Sequence, residues 1–336
     1  MARNSAHNER LALAIDVGGT NIKAAVINGQ GKMLAVRREA TPAKSPPEQV
    51  IRQILEVMHD LHRECSLDTS QLEGIGVSFA GFVTSNGMVT ATAHLSQEFV
   101  GLNLYSLFSQ QIPSRYYFSL DTPTPTLGEA YFGAGRGFAD FAYVTVSTGI
   151  GAGIMVNGKY FTGGLGWAGG VGHIIIDETS ELVCEGCGNH GCLETFAAKQ
   201  GIVAMAEEMV RQFPDSQILK LAHSRPEPIT PLLVYEAAQA GDPAARQVFE
   251  RAGHALGLGL VSLADIVAPA RIIVGGGIAQ AGDLLLEPAR KVVRERAFPP
   301  RIRTVEIVQA DLGDLSAVFG AAAMVLYDLH INNPID

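Results

Sequence analysis

LALAIDVGGTNIKAAVI, residues 11–27, decides how the rest of the chain is read. Leu11 to Val17 form a short apolar run that stops at Gly18-Gly19-Thr20, and an alanine-rich apolar pattern then resumes. The pattern predicts strand, glycine turn, strand. Asp16 puts a carboxylate at the end of the first strand, the bare glycines let backbone N–H groups approach an anion, and Thr20 adds a hydroxyl. A carboxylate alone repels phosphate. It fits one when it holds magnesium through water while Gly18, Gly19 and Thr20 hold the phosphate oxygens. For a single turn of this kind, an ordinary hairpin with glycines at positive φ is the competing reading.

The same grammar returns in FAYVTVSTGIGAGIMV, residues 141–156, where a β-branched run meets Thr148-Gly149 and leaves as another strand. A third glycine cluster, Gly275-Gly276-Gly277, follows the buried-type strand RIIV at residues 271–274. Three such turns at strand ends point to a nucleotide, because open α/β sheets bind ligands at the carboxyl ends of their strands. Two better-known phosphate motifs fail. Residues 164–169 match GxGxxG as a string but precede the strand-like HIIID instead of joining a strand to a helix. No GxxxxGK[ST] occurs, since neither Lys32 nor Lys159 is followed by Ser or Thr.

Between the first two turns, Val50, Ile54, Val57, Met58 and Leu61 recur at helical spacing, and GIGVSF at residues 74–79 reads as a strand. The prolines of SLDTPTP, residues 119–125, are expected to interrupt regular structure, and helix-like LGEAYFGAG follows. Residues 194–213 and 231–263 are helical in pattern, residues 305–310 form a further strand, and residues 315–329 close as an amphipathic helix. The 336 residues are 47% hydrophobic with a formal net charge of −9, so there is no electrostatic reason to expect DNA or an anionic membrane as partner. The first ten residues lack the apolar core of a signal peptide, and no segment offers about twenty uninterrupted apolar residues. A cytoplasmic protein is expected.

VCEGCGNHGCLET, residues 183–195, carries three of the four cysteines. His173 with Cys184, Cys187 and Cys192 supplies four zinc-type ligands in a glycine-rich loop, leaving no open position for water, so the metal would be structural. Three packed thiols beside an unrelated histidine are the alternative, and Cys65 reads as an inert thiol.

With residues 16–20, Thr148-Gly149, Gly172-His173 and CGNHGCLE in this order, the chain resembles the ROK family of sugar kinases, open reading frames and repressors. TLGEA at residues 126–130, GAG at 133–135, NGK at 157–159 and LGDLSAVFGAA at 312–322 extend the match. The resemblance implies an α/β, two-domain fold of the sugar kinase, Hsp70 and actin (ribonuclease H-like) type. Residues 1–120 with the C-terminal helix 315–336 would form a small domain, and residues 121–314, with zinc loop 173–194, a large one hinged near Asp121. About fifteen residues precede the first turn, too few for a DNA-reading helix-turn-helix, which favours the kinase branch.

It further implies that Asp121 is the general base toward a sugar hydroxyl. Asp16, Gly18, Gly19 and Thr20 would face the β/γ-phosphates of ATP and Mg2+, Thr148-Gly149 would form the second phosphate turn, and Gly275 to Gly277 would lie near the adenosine. Lys23 reads as structural. The loop that binds Zn2+ would deliver His173 and Glu194 to the sugar, and metal loss would disorder this side of the site before the nucleotide side. The family pattern CxCGxxGC is shifted by one residue here, which leaves Glu185 as an alternative ligand to Cys184.

The sugar contacts depart from the glucose-type pattern. Leu120-Asp121 replaces Asn-Asp, His94-Leu95 replaces Asn-Leu, Gly170 stands where a glutamate precedes the zinc histidine, and Ala80 and Phe82 replace prolines around Gly81. Each lost hydrogen bond to a substrate hydroxyl costs about 1–3 kcal/mol in a buried site. Two readings follow. In one, an ATP-dependent kinase phosphorylates the 6-hydroxyl of a hexose or hexose derivative through altered contacts at Gly81, His94, Leu120, Gly170, His173 and Glu194, as a homodimer with no nucleic-acid or membrane partner. In the other, a weakly catalytic protein senses sugar or nucleotide.

Overall fold

The computed structural model describes residues 10–66, 71–92, 95–225 and 228–331, so the expectation for His94 lies outside the described residues. In chain order the elements begin β1 (Leu11–Val17), β2 (Asn21–Asn28), β3 (Met33–Ala40), α1 (Pro47–Glu64), β4 (Leu72–Phe79), β5 (Gly81–Val83) and β6 (Val89–Thr92). Then come α2 (Leu104–Ser109), β7 (Tyr116–Leu120), α3 (Pro123–Phe132), β8 (Phe141–Val146), β9 (Ile150–Val156) and β10 (Lys159–Tyr160). The remainder is α4 (Glu194–Ala197), α5 (Lys199–Gln212), α6 (Gln217–Ser224), α7 (Pro231–Gln239), α8 (Pro243–Val267), β11 (Arg271–Gly275), α9 (Asp283–Arg296), β12 (Glu306–Gln309) and α10 (Ser316–Leu326).

Two compact units result. The first comprises Met1–Ala139, Gly153–Ala168 and Asp314–Asp336. Its sheet runs β3-β2-β1-β4-β7, with β1, β4 and β7 parallel and the β1-β2-β3 edge antiparallel. Strand alternation gives its two faces different characters. Leu13, Ile15, Val17, Ile75, Val77 and Phe79 bury large side chains in one core with Val50, Ile54, Met58 and Leu61 of α1. On the opposite face β4 carries glycines, because α10 packs closely there. A Cβ on Gly76 would collide with the Ala321 carbonyl, and one on Gly74 would sit 3.3 Å from Val325 Cγ1. The same device joins α3 to α10, where side chains on Gly128 or Gly320 would strike the Ser316 or Thr124 carbonyl.

The first unit departs from expectation at its prolines. Pro123 and Pro125 do not interrupt regular structure. They occupy the first turn of α3, where a missing N–H costs nothing because no intrahelical acceptor precedes it. The chain first leaves this unit after Ala139, and the tight α3–α10 contact holds α3 within it.

The second unit comprises Asp140–Ala152 and Gly169–Gly313. Parallel pairing of β11 with β8 and β12 forms its centre, in a sheet of order β10-β9-β8-β11-β12. Glycines again set helix spacing, since side chains on Gly253 and Gly257 of α8 would collide with Leu285 and Val292 of α9. The helical pattern over 231–263 is two helices, broken at Gly241 with φ +89° and restarted by Asp242, whose Oδ1 accepts from Ala245 N at 2.8 Å. The 194–213 pattern likewise splits at the extended residue Ala198. HIIID forms no strand. It follows a 3₁₀ turn at Val171–His173, with only an isolated bridge from Ile175 to Cys192. Among the described residues, no helix is long and apolar enough to cross a membrane.

Candidate active site and metal centre

Val17 pairs with Phe79, and Phe79 with Leu120, so the three parallel strands of the first unit end level. Gly18-Gly19-Thr20, Ala80-Gly81 and Asp121 therefore leave one sheet edge, the carboxyl edge where ligands of α/β sheets lie. The first turn is closed by Gly18 N donating to Asn21 O at 3.0 Å, and Thr41 Oγ1 donates to Gly18 O at 2.7 Å. Asp121 is exposed and takes a 3.4 Å contact from the Thr122 hydroxyl. Leu120 is partly buried. Gly81 is glycine for packing, because a Cβ there would sit 2.7 Å from Ala91 O. Phe82 beside it packs on Trp167 with ring centroids 5.1 Å apart.

Asp16 and Lys23 face each other across the antiparallel β1-β2 ladder. Lys23 Nζ donates to Asp314 O at 2.8 Å, which ties β2 to the segment entering α10 and agrees with a structural role. Asp16 reaches solvent over part of its surface but is densely surrounded. Desolvation pushes its pKa up from 3.8 to about 6, against the lowering influence of Lys23 and the Ser78 hydrogen bond. A carboxylate whose folded pKa lies above its unfolded value is destabilising when ionised. The penalty is fully present at pH 8 and is relieved as pH falls through about 6. Asp16→Asn is therefore expected to stabilise the magnesium-free protein at pH 8 by up to about 3 kcal/mol. The gain should shrink toward pH 5. Urea unfolding across this range measures it, and a variant less stable than its parent at pH 8 contradicts the reading.

In the second unit, Ser147 and Thr148 line a cavity of about 370 Å³ with Lys199, Leu232, Tyr235 and Gly277. The three glycines after β11 are not equivalent. Gly275 and Gly276 are required by packing, the first against Tyr143 and the second, at φ +91°, against Val146 O at 2.5 Å. Only Gly277 belongs to the cavity lining, 3.9 Å from Ser147 Oγ for a Cβ placed there. Lys199 and Tyr235 were not anticipated, because only the tertiary packing of α5 and α7 brings them to the turn. Gly149 lies outside the lining and faces Glu194, whose Oε2 would be 3.0 Å from its Cβ.

The donor atoms of His173, Cys184, Cys187 and Cys192 lie within 4.8 Å of one another. Cys184 Sγ is 3.6 Å from His173 Nδ1, and Cys187 Sγ is 3.6 Å from Cys192 Sγ. A tetrahedron of sulfurs at about 2.3 Å from zinc has edges of about 3.8 Å, so the donor set fits that ion. Cys184, not the exposed Glu185, completes the cluster. Burial, then its hydrogen bond to Glu194, pushes the Cys184 thiol up to about 12. Glu194 is shared between two features. Its Oε1 lies 2.8 Å from Cys184 Sγ and 3.8 Å from His173 Nδ1, while Oε2 accepts from Ile150 N at 3.3 Å. The cysteine loop and the Thr148-Gly149 turn are thus joined through one carboxylate. Gly170 has φ −71°, and a Cβ placed on it would meet nothing within 4 Å, so no clash dictates the glycine.

Level parallel strands ending in glycine turns, in a mixed α/β chain of two units, define the actin-like two-domain class. The chain belongs to the ROK family, whose model matches residues 12–327. It is similar to a glucokinase of Halalkalibacterium halodurans, 30% identical over 95% of this chain and 96% of that one. It is also similar to a xylose repressor of Caldicellulosiruptor bescii, 27% identical over 94% of this chain and 78% of that one. Among solved structures, a ROK family glucokinase from Streptomyces griseus, in complex with glucose and AMPPNP, matches with a TM-score of 0.80. That pair is 30% identical over 94% of this chain and 98% of the other.

Proposed function

We propose that this protein is an ATP-dependent sugar kinase that transfers the γ-phosphoryl group to a hydroxyl, the 6-hydroxyl, of a hexose or hexose derivative. One observation carries the reading: the Asp16 turn and Asp121 leave the same carboxyl edge of a level parallel sheet, in a chain whose relatives include glucokinases. Asp121 accepts the hydroxyl proton as the sugar oxygen attacks the γ-phosphorus, the bond to the bridging β-phosphate oxygen breaks, and ADP leaves. Gly18, Gly19 and Thr20 hold β/γ-phosphate oxygens through N–H and hydroxyl donors, Thr148-Gly149 supplies the second phosphate turn, and the cavity containing Gly277 takes the nucleoside. Magnesium, held by Asp16 through water, would neutralise charge on the phosphates. Zinc, held by His173, Cys184, Cys187 and Cys192, would be structural, fixing His173 and Glu194 toward sugar hydroxyls.

The apolar Leu120 and the open space beside Gly170 favour an acceptor other than plain glucose. They are also the observations behind a second reading, a sugar-binding sensor with little turnover. A panel of hexoses, N-acyl and amino sugars, assayed for ADP release with ATP and magnesium, tests the two. Turnover is expected on a derivative in preference to glucose. Absence of turnover across the panel, with sugar binding intact, supports the sensor and rejects the kinase.

A further inference from the structure

Ser78 sits near the end of β4, directly in register with Asp16 of β1, and is fully buried at 0% exposure. Its hydroxyl donates to Asp16 Oδ1 at 2.9 Å and lies 2.9 Å from the hydroxyl of Thr124, also 0% exposed. A hydroxyl has one proton. With the Ser78 proton committed to the carboxylate, the short contact to Thr124 requires Thr124 to donate and Ser78 to accept. The other acceptors within reach of Thr124, the Leu120 and Asp121 carbonyls, are farther at 3.3 and 3.4 Å. The chain is therefore polarised from Thr124 through Ser78 to Asp16, an arrangement in which each bond strengthens the next. Thr124 is itself held firmly. Pro123 and Pro125 flank it in the first turn of α3, and Gly320 of α10 packs on its carbonyl. The contrast with Ser119 is informative. It occupies the next position in the same register row, yet its buried hydroxyl has no hydrogen-bond partner among the described residues, so this row does not satisfy hydroxyls by default.

We infer that Ser78 and Thr124 are positioning residues, a buried hydroxyl relay that locks the carboxylate of Asp16 in its metal-facing orientation and couples it to the segment that starts at Asp121. Neither touches substrate. The inference rests on the phosphoryl-transfer reading of Asp16, and its consequence is a defined one: losing either hydroxyl should weaken the response to magnesium without altering nucleotide recognition in the second unit.

The test is calorimetric binding of ADP, with and without Mg2+, to the full chain and to Ser78→Ala, Thr124→Val and Thr124→Ser. Valine keeps the shape of threonine and removes the donor, whereas serine keeps the donor. The magnesium-dependent gain in ADP affinity is expected to fall about 10–100-fold in Ser78→Ala and Thr124→Val, the usual effect of removing a partner that orients a metal-site group. It should be retained in Thr124→Ser. Metal-free ADP affinity should be unchanged in all three, which also reports that they are folded. Full retention of the magnesium gain in Ser78→Ala and Thr124→Val overturns the relay, as does loss in Thr124→Ser equal to that in Thr124→Val. A parent protein whose ADP affinity ignores magnesium overturns the phosphoryl-transfer reading, and the relay with it.

Discussion

Asp121→Asn is expected to lower kcat for sugar phosphorylation by about 10²–10⁴-fold, the contribution of a positioned general base, with little change in sugar affinity. Asparagine keeps the size of the side chain and can still hydrogen-bond a hydroxyl, but it cannot take the proton as the sugar oxygen attacks phosphorus. The substitution should be silent in stability. Asp121 is exposed at the end of β7, and surface changes of this kind usually stay within about 0.5 kcal/mol. Affinity, fold and turnover therefore separate in one variant. An ADP-release assay beside sugar calorimetry decides the matter: a variant turning over within about twofold of its parent would remove Asp121 from the chemistry.

Cys192→Ala should have the second-largest effect. Cys192 is fully buried, its sulfur lies 3.6 Å from that of Cys187, and Thr195 Oγ1 bonds its carbonyl at 2.7 Å. Structural zinc contributes about 10–16 kcal/mol to a four-ligand site, so losing one ligand should cost about 3 kcal/mol or more, roughly two orders of magnitude in zinc affinity. The damage should not stay in the loop. Leu193 packs against Gly259 of α8, and Glu194 bridges from the cluster to Ile150 N. Hydrogen exchange should therefore accelerate across residues 173–194 and also at the Thr148-Gly149 turn, so the metal-poor protein loses nucleotide affinity together with sugar affinity. This replaces the simpler expectation that the sugar side would suffer first. Zinc content near one per chain in the parent and near zero in the variant, measured by plasma mass spectrometry, checks the first part. A variant that keeps its zinc, or whose exchange is unchanged at Ile150, would defeat the corresponding half of the prediction.

Much of the fold was legible because its signals are local. The runs at β1, β2, β8, β9 and β11 carry apolar side chains at strand spacing and stop at glycines or turns, and α1 shows its helical period in Val50, Ile54, Val57, Met58 and Leu61. Errors fell where local composition has two meanings. Pro123 and Pro125 break a helix interior but suit a first turn, and HIIID reads as a strand although no neighbouring strand completes a ladder for it. Likewise Gly275, Gly276 and Gly277 look alike in sequence, yet two are demanded by packing and one borders a cavity.

The sequence by itself carried the local patterns: carboxylate and glycine turns at strand ends, a cysteine-rich loop, and Asp121 with apolar Leu120 before it. These depend on residues adjacent or nearly adjacent in the chain, where covalent geometry limits the outcomes. Only the tertiary structure decided that Cys184 and not Glu185 joins the cluster, that Glu194 spans the cysteine loop and the strand after the Thr148-Gly149 turn, and that Thr124 meets Ser78 and Ser78 meets Asp16. Each of those contacts joins residues well separated in the chain or depends on which way a side chain faces. A one-residue change of register across β1 and β4 would turn Ser78 to the opposite face, and no local pattern reports that register.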